Sequence, residues 1–255
     1  MMQYDDSTYG NRIAGTYDDF YSDYDQDSIK LLVELAGEGS ALELGIGTGR
    51  IALPLQERGI AVQGIDASEA MISKLRSKPH GAKIKVLVES FADFEVDTRF
   101  QLIYVVFNTF FALLTQEEQI LCFKSVSEHL SPNGVFLVEV FVPDLCRFVD
   151  HQTVRSVNLS DEAVQLDVSQ VDPLSQQVTS QHVLFSNEGI RMYPVKLRYA
   201  WPSELDLMAK IAGLSLHHRW GSWSKDEFTK NSKSHISVYG YPGKENLDNP
   251  DNDYV

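Results

Sequence analysis

The chain has 255 residues, a length that allows one large domain or one domain with an insertion. Hydrophobic residues make up 43% and charged residues 23%, which is near the globular average and excludes a disordered, coiled-coil or collagen-like body. The formal net charge is -14 and no run of Lys and Arg occurs, so nucleic acid and anionic membranes are not expected partners.

The first residues are acidic and polar, unlike a secretory signal, so a cytoplasmic protein is expected. The longest apolar stretch, 100–114, contains polar residues and is shorter than the roughly 20 residues that a membrane span needs, which predicts no transmembrane helix. Cys122 and Cys146 lack a Cys-x-x-Cys spacing and are interpreted as reduced thiols. No two histidines have a His-x-x-x-His spacing, and no metal site is expected.

Apolar runs alternate with helical patterns between residues 40 and 143. The runs are nearly continuous in apolar character, as in strands covered on both faces, which predicts a doubly wound α/β fold with a mostly parallel sheet. The predicted strands are 41–44, 60–65, 84–88, 102–107 and 135–142, and the predicted helices are 50–58, 68–77 and 116–130.

After Pro143 the pattern changes to short stretches that alternate polar and apolar residues. This period of two predicts antiparallel strands with one covered face, at 153–159, 163–171, 177–185 and 191–199. A helix at 202–212 and strands at 214–220 and 235–241 follow. The predicted division is a helical cover (1–39), an α/β domain (40–150 and 202–243), an antiparallel insertion over the substrate site (151–201) and a disordered acidic tail (244–255).

A glycine-rich segment joins the first strand to the next helix and contains Gly45, Gly47 and Gly49. Glycines at this point let backbone amides approach a ligand, although they also suit a plain tight turn. Arg50 stands where the dinucleotide fingerprint has its third glycine. Glu43 precedes the loop, and a carboxylate there favours a cationic ligand over a pyrophosphate.

Asp66 ends the second predicted strand, 21 residues after Gly45. That spacing is typical of an acid that accepts hydrogen bonds from ribose hydroxyls. The alternative is an Asp that caps a helix or lies on the surface.

The chain resembles the class I S-adenosylmethionine-dependent methyltransferases in three motifs. They are Glu43-Leu-Gly-Ile-Gly-Thr-Gly49, Gly64-Ile-Asp-Ala-Ser-Glu-Ala-Met71 and Leu130-Ser-Pro-Asn-Gly134. The resemblance implies a seven-stranded sheet with an antiparallel β insertion after the fifth strand, and S-adenosyl-L-methionine as cofactor. It implies that the loop glycines cradle the methionine portion and that Asp66 holds the ribose. Many members carry an acid where this chain has Ser90, so adenine is expected against the Ser90 hydroxyl or the backbone around Phe91. The expected cofactor residues are Tyr17, Glu43, Gly45, Gly47, Gly49, Arg50, Asp66, Ala67, Met71, Ser90, Phe91 and Phe107.

The resemblance also implies that the Tyr-rich N-terminal segment folds over the cofactor. Tyr17 is expected to direct its hydroxyl at the transferring methyl, with Tyr21 as the second choice; the alternative is an ordinary solvated helix. Asn108 is a further candidate for the catalytic role and lies among Phe residues that suit either a ligand wall or plain core. His182, within a strand of the insertion, is a candidate base, although a lone strand histidine is more often structural. The residues expected at the substrate are Tyr21, Phe111, Arg198 and Tyr199.

The predicted function is transfer of a methyl group to a small-molecule nucleophile, with S-adenosyl-L-homocysteine as the product. Amine nitrogen is the first choice, because the insertion resembles that of bacterial amino-sugar and small-amine N-methyltransferases. An O-methyltransferase acting on a hydroxylated or carboxylated metabolite is the close alternative. A nucleotide-dependent oxidoreductase and a non-catalytic cofactor-binding protein also stay open. The expected partner is a small-molecule substrate, and the protein is expected to be a monomer or a homodimer.

Overall fold

The computed structural model describes residues 4–21 and 23–243. Its helices are α1 (Thr8–Ile13), α2 (Tyr17–Phe20), α3 (Gln26–Ala36), α4 (Ala52–Glu57), α5 (Glu69–Ser77), α6 (Gln116–His129) and α7 (Pro202–Ile211). Its strands are β1 (Ala41–Leu44), β2 (Val62–Ile65), β3 (Lys85–Leu87), β4 (Phe100–Val105), β5 (Leu130–Phe141), β6 (Gln152–Leu159), β7 (Ala163–Asp172), β8 (Gln177–Ser186), β9 (Gly189–Arg198), β10 (Ser215–Trp220) and β11 (Ser234–Gly240). Short 3-10 helices span Gly81–Lys83, Thr109–Ala112 and Leu145–Arg147.

The main sheet has seven strands in the order β10-β11-β5-β4-β1-β2-β3. Strands β1 to β5 pair in parallel, while β11 is antiparallel to β5 and β10 is antiparallel to β11. The strand order reverses between β1 and β4, and in open α/β sheets ligands bind beyond the carboxyl ends of the strands at such a point. The predicted doubly wound, mostly parallel seven-stranded sheet is confirmed.

The insertion is a separate antiparallel sheet, β6-β7-β8-β9, between β5 and α7. One face of it is covered: Val171, Val178 and Tyr193 are buried there. The opposite face exposes Val154 and Met192. The predicted antiparallel sheet with one covered face is therefore confirmed, while β6 at its edge is exposed along nearly its whole length. The physical basis is that only one face of this sheet packs on the rest of the molecule.

Local sequence explains where several helices begin. Ser68 caps α5 by accepting a hydrogen bond from the Met71 amide, and Thr115 forms a capping box with Glu118 at the start of α6. Several boundaries differ from expectation: β5 begins at Leu130 rather than at 135, and β4 spans Phe100–Val105 rather than 102–107. Strand β4 ends early because the backbone of Phe107 and Asn108 turns into the left-handed region. Helix α1 packs against α5 and β9 and so joins the α/β domain to the insertion. The predicted tail, 244–255, lies outside the described residues.

Candidate active site

A cavity of about 370 Å³ lies beyond the carboxyl ends of β1, β2 and β4, between the N-terminal helices and the insertion. Most of its wall is apolar or aromatic, with a few polar groups, as is usual for small-molecule sites. The predicted site residues that line it are Tyr17, Tyr21, Gly45, Gly47, Asp66, Ala67, Met71, Ser90, Phe91, Phe107, Asn108 and His182. The structure thus brings together most of the predicted cofactor residues and all three predicted catalytic residues.

The glycine loop needs glycine for packing at two positions and for a different reason at the third. Gly45, Gly47 and Gly49 all have positive φ, at 73°, 54° and 78°. A Cβ at Gly45 would collide with Thr109, and one at Gly49 would collide with Leu75, so these two positions are fixed by packing. At Gly47 the nearest atom to such a Cβ is the Met71 Cε at 3.8 Å, and both residues line the cavity. Gly47 is therefore the loop glycine whose missing side chain leaves room for a ligand.

Asp66 holds this loop in place from the end of β2. Its Oδ2 accepts a hydrogen bond from the Gly47 amide at 2.7 Å, and its Oδ1 accepts one from the Ser68 amide at 2.8 Å. Each carboxylate oxygen retains a further lone pair, and the group lines the cavity. Burial raises the pKa of Asp66, and the two amide hydrogen bonds oppose that shift. The carboxylate is therefore both a support for the loop and an available acceptor.

The turn after β4 places two successive residues in the left-handed region. Phe107 and Asn108 have φ values of 59° and 64°, a conformation that Asn adopts readily but that is strained for a bulky aromatic residue. Glu139 holds the turn, since its Oε2 accepts a hydrogen bond from the Phe107 amide at 2.7 Å and its carbonyl accepts one from Asn108. The Asn108 Oδ1 in turn accepts the Phe141 amide at 2.7 Å. These bonds present the Phe107 ring and the Asn108 amide group to the cavity.

The N-terminal helices cover the cavity with aromatic rings. The rings of Tyr17 and Tyr21 lie 5.0 Å apart between centroids, and Tyr21 meets Phe107 edge-on at 5.2 Å. Tyr9 shares a hydrogen bond with Tyr21. Burial raises the pKa of Tyr17 to about 12, so its hydroxyl stays protonated at neutral pH.

Asp18 attaches this cover to the glycine loop. Its Oδ1 accepts hydrogen bonds from the Thr48 hydroxyl at 2.6 Å and from the Lys78 Nζ at 2.9 Å. Lys78 also donates to the Thr48 carbonyl. Burial acts to raise the pKa of Asp18, but these hydrogen bonds outweigh it and the pKa is lowered. The contact links the cover directly to the loop residue next to Gly47.

The inner face of the insertion supplies the opposite wall. Asp167, Ser180 and His182 line the cavity from neighbouring strands. The His182 Nε2 lies 3.9 Å from the Asp167 Oδ1, which is too long for a hydrogen bond. Burial lowers the pKa of His182, while the charge of Asp167 opposes the shift. A neutral imidazole therefore faces the same cavity as Tyr17.

Comparisons with known proteins agree with this geometry. A family model described as a methyltransferase domain matches residues 41–134. The structure of the CcbJ methyltransferase from Streptomyces caelestis is 38% identical, with a TM-score of 0.88, and the match covers 94% of this chain and 100% of that one. The chain belongs to the class I S-adenosylmethionine-dependent methyltransferases.

Two further relatives of this methyltransferase are informative. The cypemycin N-terminal methyltransferase of a Streptomyces species is 27% identical over 201 residues, which is 78% of this chain and 82% of that protein. The sugar N-methyltransferase from a Streptoalloteichus species is 17% identical, with a TM-score of 0.64, over 93% of this chain and 98% of that one. At that identity the second comparison shows a likeness of fold.

Three predicted cofactor residues of the methyltransferase, Glu43, Gly49 and Arg50, do not line the cavity. Glu43 is buried beneath the glycine loop, where the Tyr104 hydroxyl donates to its Oε2 at 2.9 Å. Burial raises the pKa of Glu43 to about 8. Arg50 lies outside the wall, with its guanidinium 4.2 Å from the centroid of the Phe107 ring and its Nη1 donating to the Asp23 carbonyl. Like Gly49, they support the wall rather than form it.

The predicted substrate residues other than Tyr21 also lie away from the cavity. Phe111 is fully buried and packs edge-on against Phe141, so it belongs to the hydrophobic core. Tyr199 is 2% exposed and lies in the same core. Arg198 is buried in a polar network, in which its guanidinium donates to Gln119, Gln176 and Glu204 at 2.6 to 2.9 Å. Its charge is already matched by Glu204 and is not directed at a ligand.

Several wall residues were missed by the sequence analysis. Tyr9, Thr109, Arg147, Asp167 and Lys196 all line the cavity. The strand register carried a usable signal for one of them, because Asp167 pairs with His182 across β7 and β8 and so lies on the same face. Thr109 follows Asn108 in the Phe-rich segment that suits a ligand wall, whereas for Tyr9, Arg147 and Lys196 no sequence pattern pointed to the cavity.

The described part of the chain contains no cluster of three or more His, Cys, Asp and Glu residues that could hold a metal ion. None of its helices is long and apolar enough to span a bilayer.

Proposed function

We propose that this methyltransferase transfers the methyl group of S-adenosylmethionine to an amine nitrogen of a small molecule. The observation that carries the proposal is the group of polar side chains in a largely apolar, covered cavity: the neutral imidazole of His182, the protonated phenol of Tyr17 and the amide of Asn108. The cypemycin N-terminal methyltransferase, a relative over most of the chain, is named as acting at an N-terminus. The sugar N-methyltransferase shares the fold.

The residues at the glycine loop fit the cofactor. The space beside Gly47 is one that a Cβ would fill, and the free lone pairs of Asp66 suit ribose hydroxyls. Ser90, Phe91 and Met71 form the adjoining wall, which suits the adenine ring. We propose that these residues hold the cofactor while the cover, 1–39, and the insertion, 151–201, enclose the acceptor.

The bound cofactor supplies a methyl group activated by positive charge on sulfur. The chain's own task is then to exclude water and to align the acceptor nitrogen, which accounts for much of the rate in a charge-dispersing transfer. The Tyr17 phenol stays protonated at neutral pH and so does not act as a base. Its role, like that of Asn108, is to orient the acceptor nitrogen by hydrogen bonds. His182 is neutral and is the group in this set that accepts a proton.

The experiment is methyl transfer to matched acceptors. The protein is incubated with S-adenosylmethionine and pairs of compounds that differ in one group, such as glucosamine with glucose and benzylamine with benzyl alcohol, and products are read by mass spectrometry. We expect a 14 Da gain on nitrogen in the amine of at least one pair and none in its alcohol. Methylation of the alcohols at oxygen would favour the O-methyltransferase instead.

Light scattering tests the proposal that the protein is a monomer or a homodimer.

A further inference from the structure

The covered face of the insertion carries a polar cluster where packing alone favours apolar side chains. Val171, Val178 and Leu197 lie at one end of that face, as expected of a covered sheet. Across the same strands, Asp167 is 7% exposed and Ser169 is 1% exposed. Burying polar groups costs stability unless they are hydrogen-bonded, and buried groups of this kind concentrate at functional sites.

The cluster forms a chain of contacts that ends at His182. The hydroxyls of Ser180 and Ser169 lie 2.7 Å apart, and Ser169 donates to the Asp167 Oδ1 at 2.8 Å. The same Oδ1 lies 3.9 Å from the His182 Nε2. The serines therefore fix the carboxylate in an orientation that faces the imidazole.

His182 has hydrogen-bonding capacity that the described residues do not use. Its Nδ1 is buried and has no hydrogen-bond partner among them. A buried, unpartnered ring nitrogen needs an explanation, and a rotation of the imidazole that brings this nitrogen to the cavity when a molecule binds is one. Contacts of catalytic groups are often long in a structure without substrate and shorten in the complex, so the 3.9 Å separation is compatible with a working pair.

We propose that Asp167 is a positioning residue for His182 and that His182, so held, removes a proton from the acceptor nitrogen. The inference rests on the proposed function. An amine enters the cavity as an ammonium ion without a lone pair, and an imidazole nitrogen of His182 takes one proton from it. The freed lone pair forms the new bond to the methyl carbon, whose former bonding pair stays on sulfur. The product is a methylated ammonium ion, and His182 returns its proton to water.

The charges around the pair support this division of roles. Arg155 lies 3.4 Å from the Asp167 Oδ2, and Arg147 faces the same carboxylate from the segment after β5. On the other sides, Tyr193 pairs with His182 from β9 and Tyr21 approaches Asp167 from the cover. Burial keeps His182 neutral in the resting protein, while the charge of Asp167 opposes that lowering of its pKa. Asp167 stabilises the imidazolium once it forms, as the acid of a catalytic triad does.

The first test needs no acceptor. The imidazole of His182 is titrated by NMR in histidine-labelled protein saturated with S-adenosylhomocysteine, with the signal assigned by its loss in His182→Gln. Asp167→Asn keeps an oxygen for Ser169 and should lower the pKa of His182 by about one unit, since an opposite charge is lost. Asp161→Asn removes an equal charge from an exposed turn and should change nothing. An unmoved pKa in Asp167→Asn overturns the pairing.

The second test uses the pH profile of kcat/KM for an amine that is methylated. Asp167→Asn should lower kcat and should move the acid limb to lower pH by as much as it lowers the pKa of His182. A merely structural role of Asp167 would lower activity without moving the acid limb. His182→Gln should lower kcat by about 100-fold, the lower end for general base catalysis. Native kcat in His182→Gln would refute the inference while nitrogen methylation stood. Methylation of oxygen alone would refute the proposed function instead.

Discussion

The substitution of Gly47 by alanine separates a ligand-facing glycine from an ordinary turn glycine. Gly47 has a φ of 54°, and a left-handed conformation costs alanine about 1 to 2 kcal/mol. Its new methyl would meet nothing closer than the Met71 Cε at 3.8 Å, so the fold can accommodate it. Gly59 is the matched control, because it has a φ of 89° and no atom lies within 4 Å of the Cβ that alanine would add. Gly59 lies outside the cavity. Both variants should lose about 2 to 6 °C in Tm.

Only Gly47→Ala should lose affinity for the cofactor product. The methyl occupies space where the backbone and a ligand would meet, and losing one or two hydrogen bonds to a charged ligand costs about 1.5 to 3 kcal/mol. That cost is about 10- to 150-fold in Kd. Isothermal calorimetry with S-adenosylhomocysteine on both variants measures it. Binding by Gly47→Ala that matches Gly59→Ala would show that the loop is a turn and nothing more.

Three further predictions follow from other parts of the site. Asp66→Asn should weaken S-adenosylhomocysteine binding by about 10- to 150-fold in calorimetry, because the side-chain NH2 group of the new Asn would face the backbone N–H of Gly47 or Ser68. Native affinity in a folded variant would remove Asp66 from the cofactor site. Tyr17→Phe should lower kcat by a larger factor than it changes cofactor affinity, as for a contact made mainly in the transition state, and native turnover would leave the hydroxyl without a role. The pKa of Glu43 is about 8 in the folded protein and about 4.5 in the unfolded chain. Between these values the unfolded chain loses a proton that the folded protein keeps, so the stability of the wild type should fall as the pH rises. Glu43→Gln keeps an acceptor for Tyr104 and should therefore gain Tm relative to wild type from pH 5 to pH 8.5, while a constant difference would show that Glu43 ionises freely.

The fold was predictable from the sequence because its signals are local and repeat along the chain. Continuous apolar runs separated by helical patterns specified the parallel sheet, and the change to a period of two at the insertion specified a sheet with one covered face. The helix caps at Ser68 and Thr115 pair with residues only three positions later, so the starts of these helices could also be predicted from local sequence. The end of β4 was missed, because the left-handed φ of Phe107 is imposed by Glu139, which is distant in sequence.

The sequence by itself predicted that Gly45, Gly47 and Asp66 lie together at one edge of the sheet, where they line the cavity, since they belong to a short strand, turn and helix whose spacing is fixed by local geometry. Beyond residues predicted there, such as Tyr17, Asn108 and His182, the tertiary structure alone decided which polar residues face the cavity. Arg198 and Asp167 both lie on strands of the insertion, yet Arg198 meets Glu204 in a buried network while Asp167 meets His182 at the cavity wall. Strand pairing and the way the insertion packs on the α/β domain choose between these outcomes. Both join residues far apart in the chain, and no local pattern encodes them.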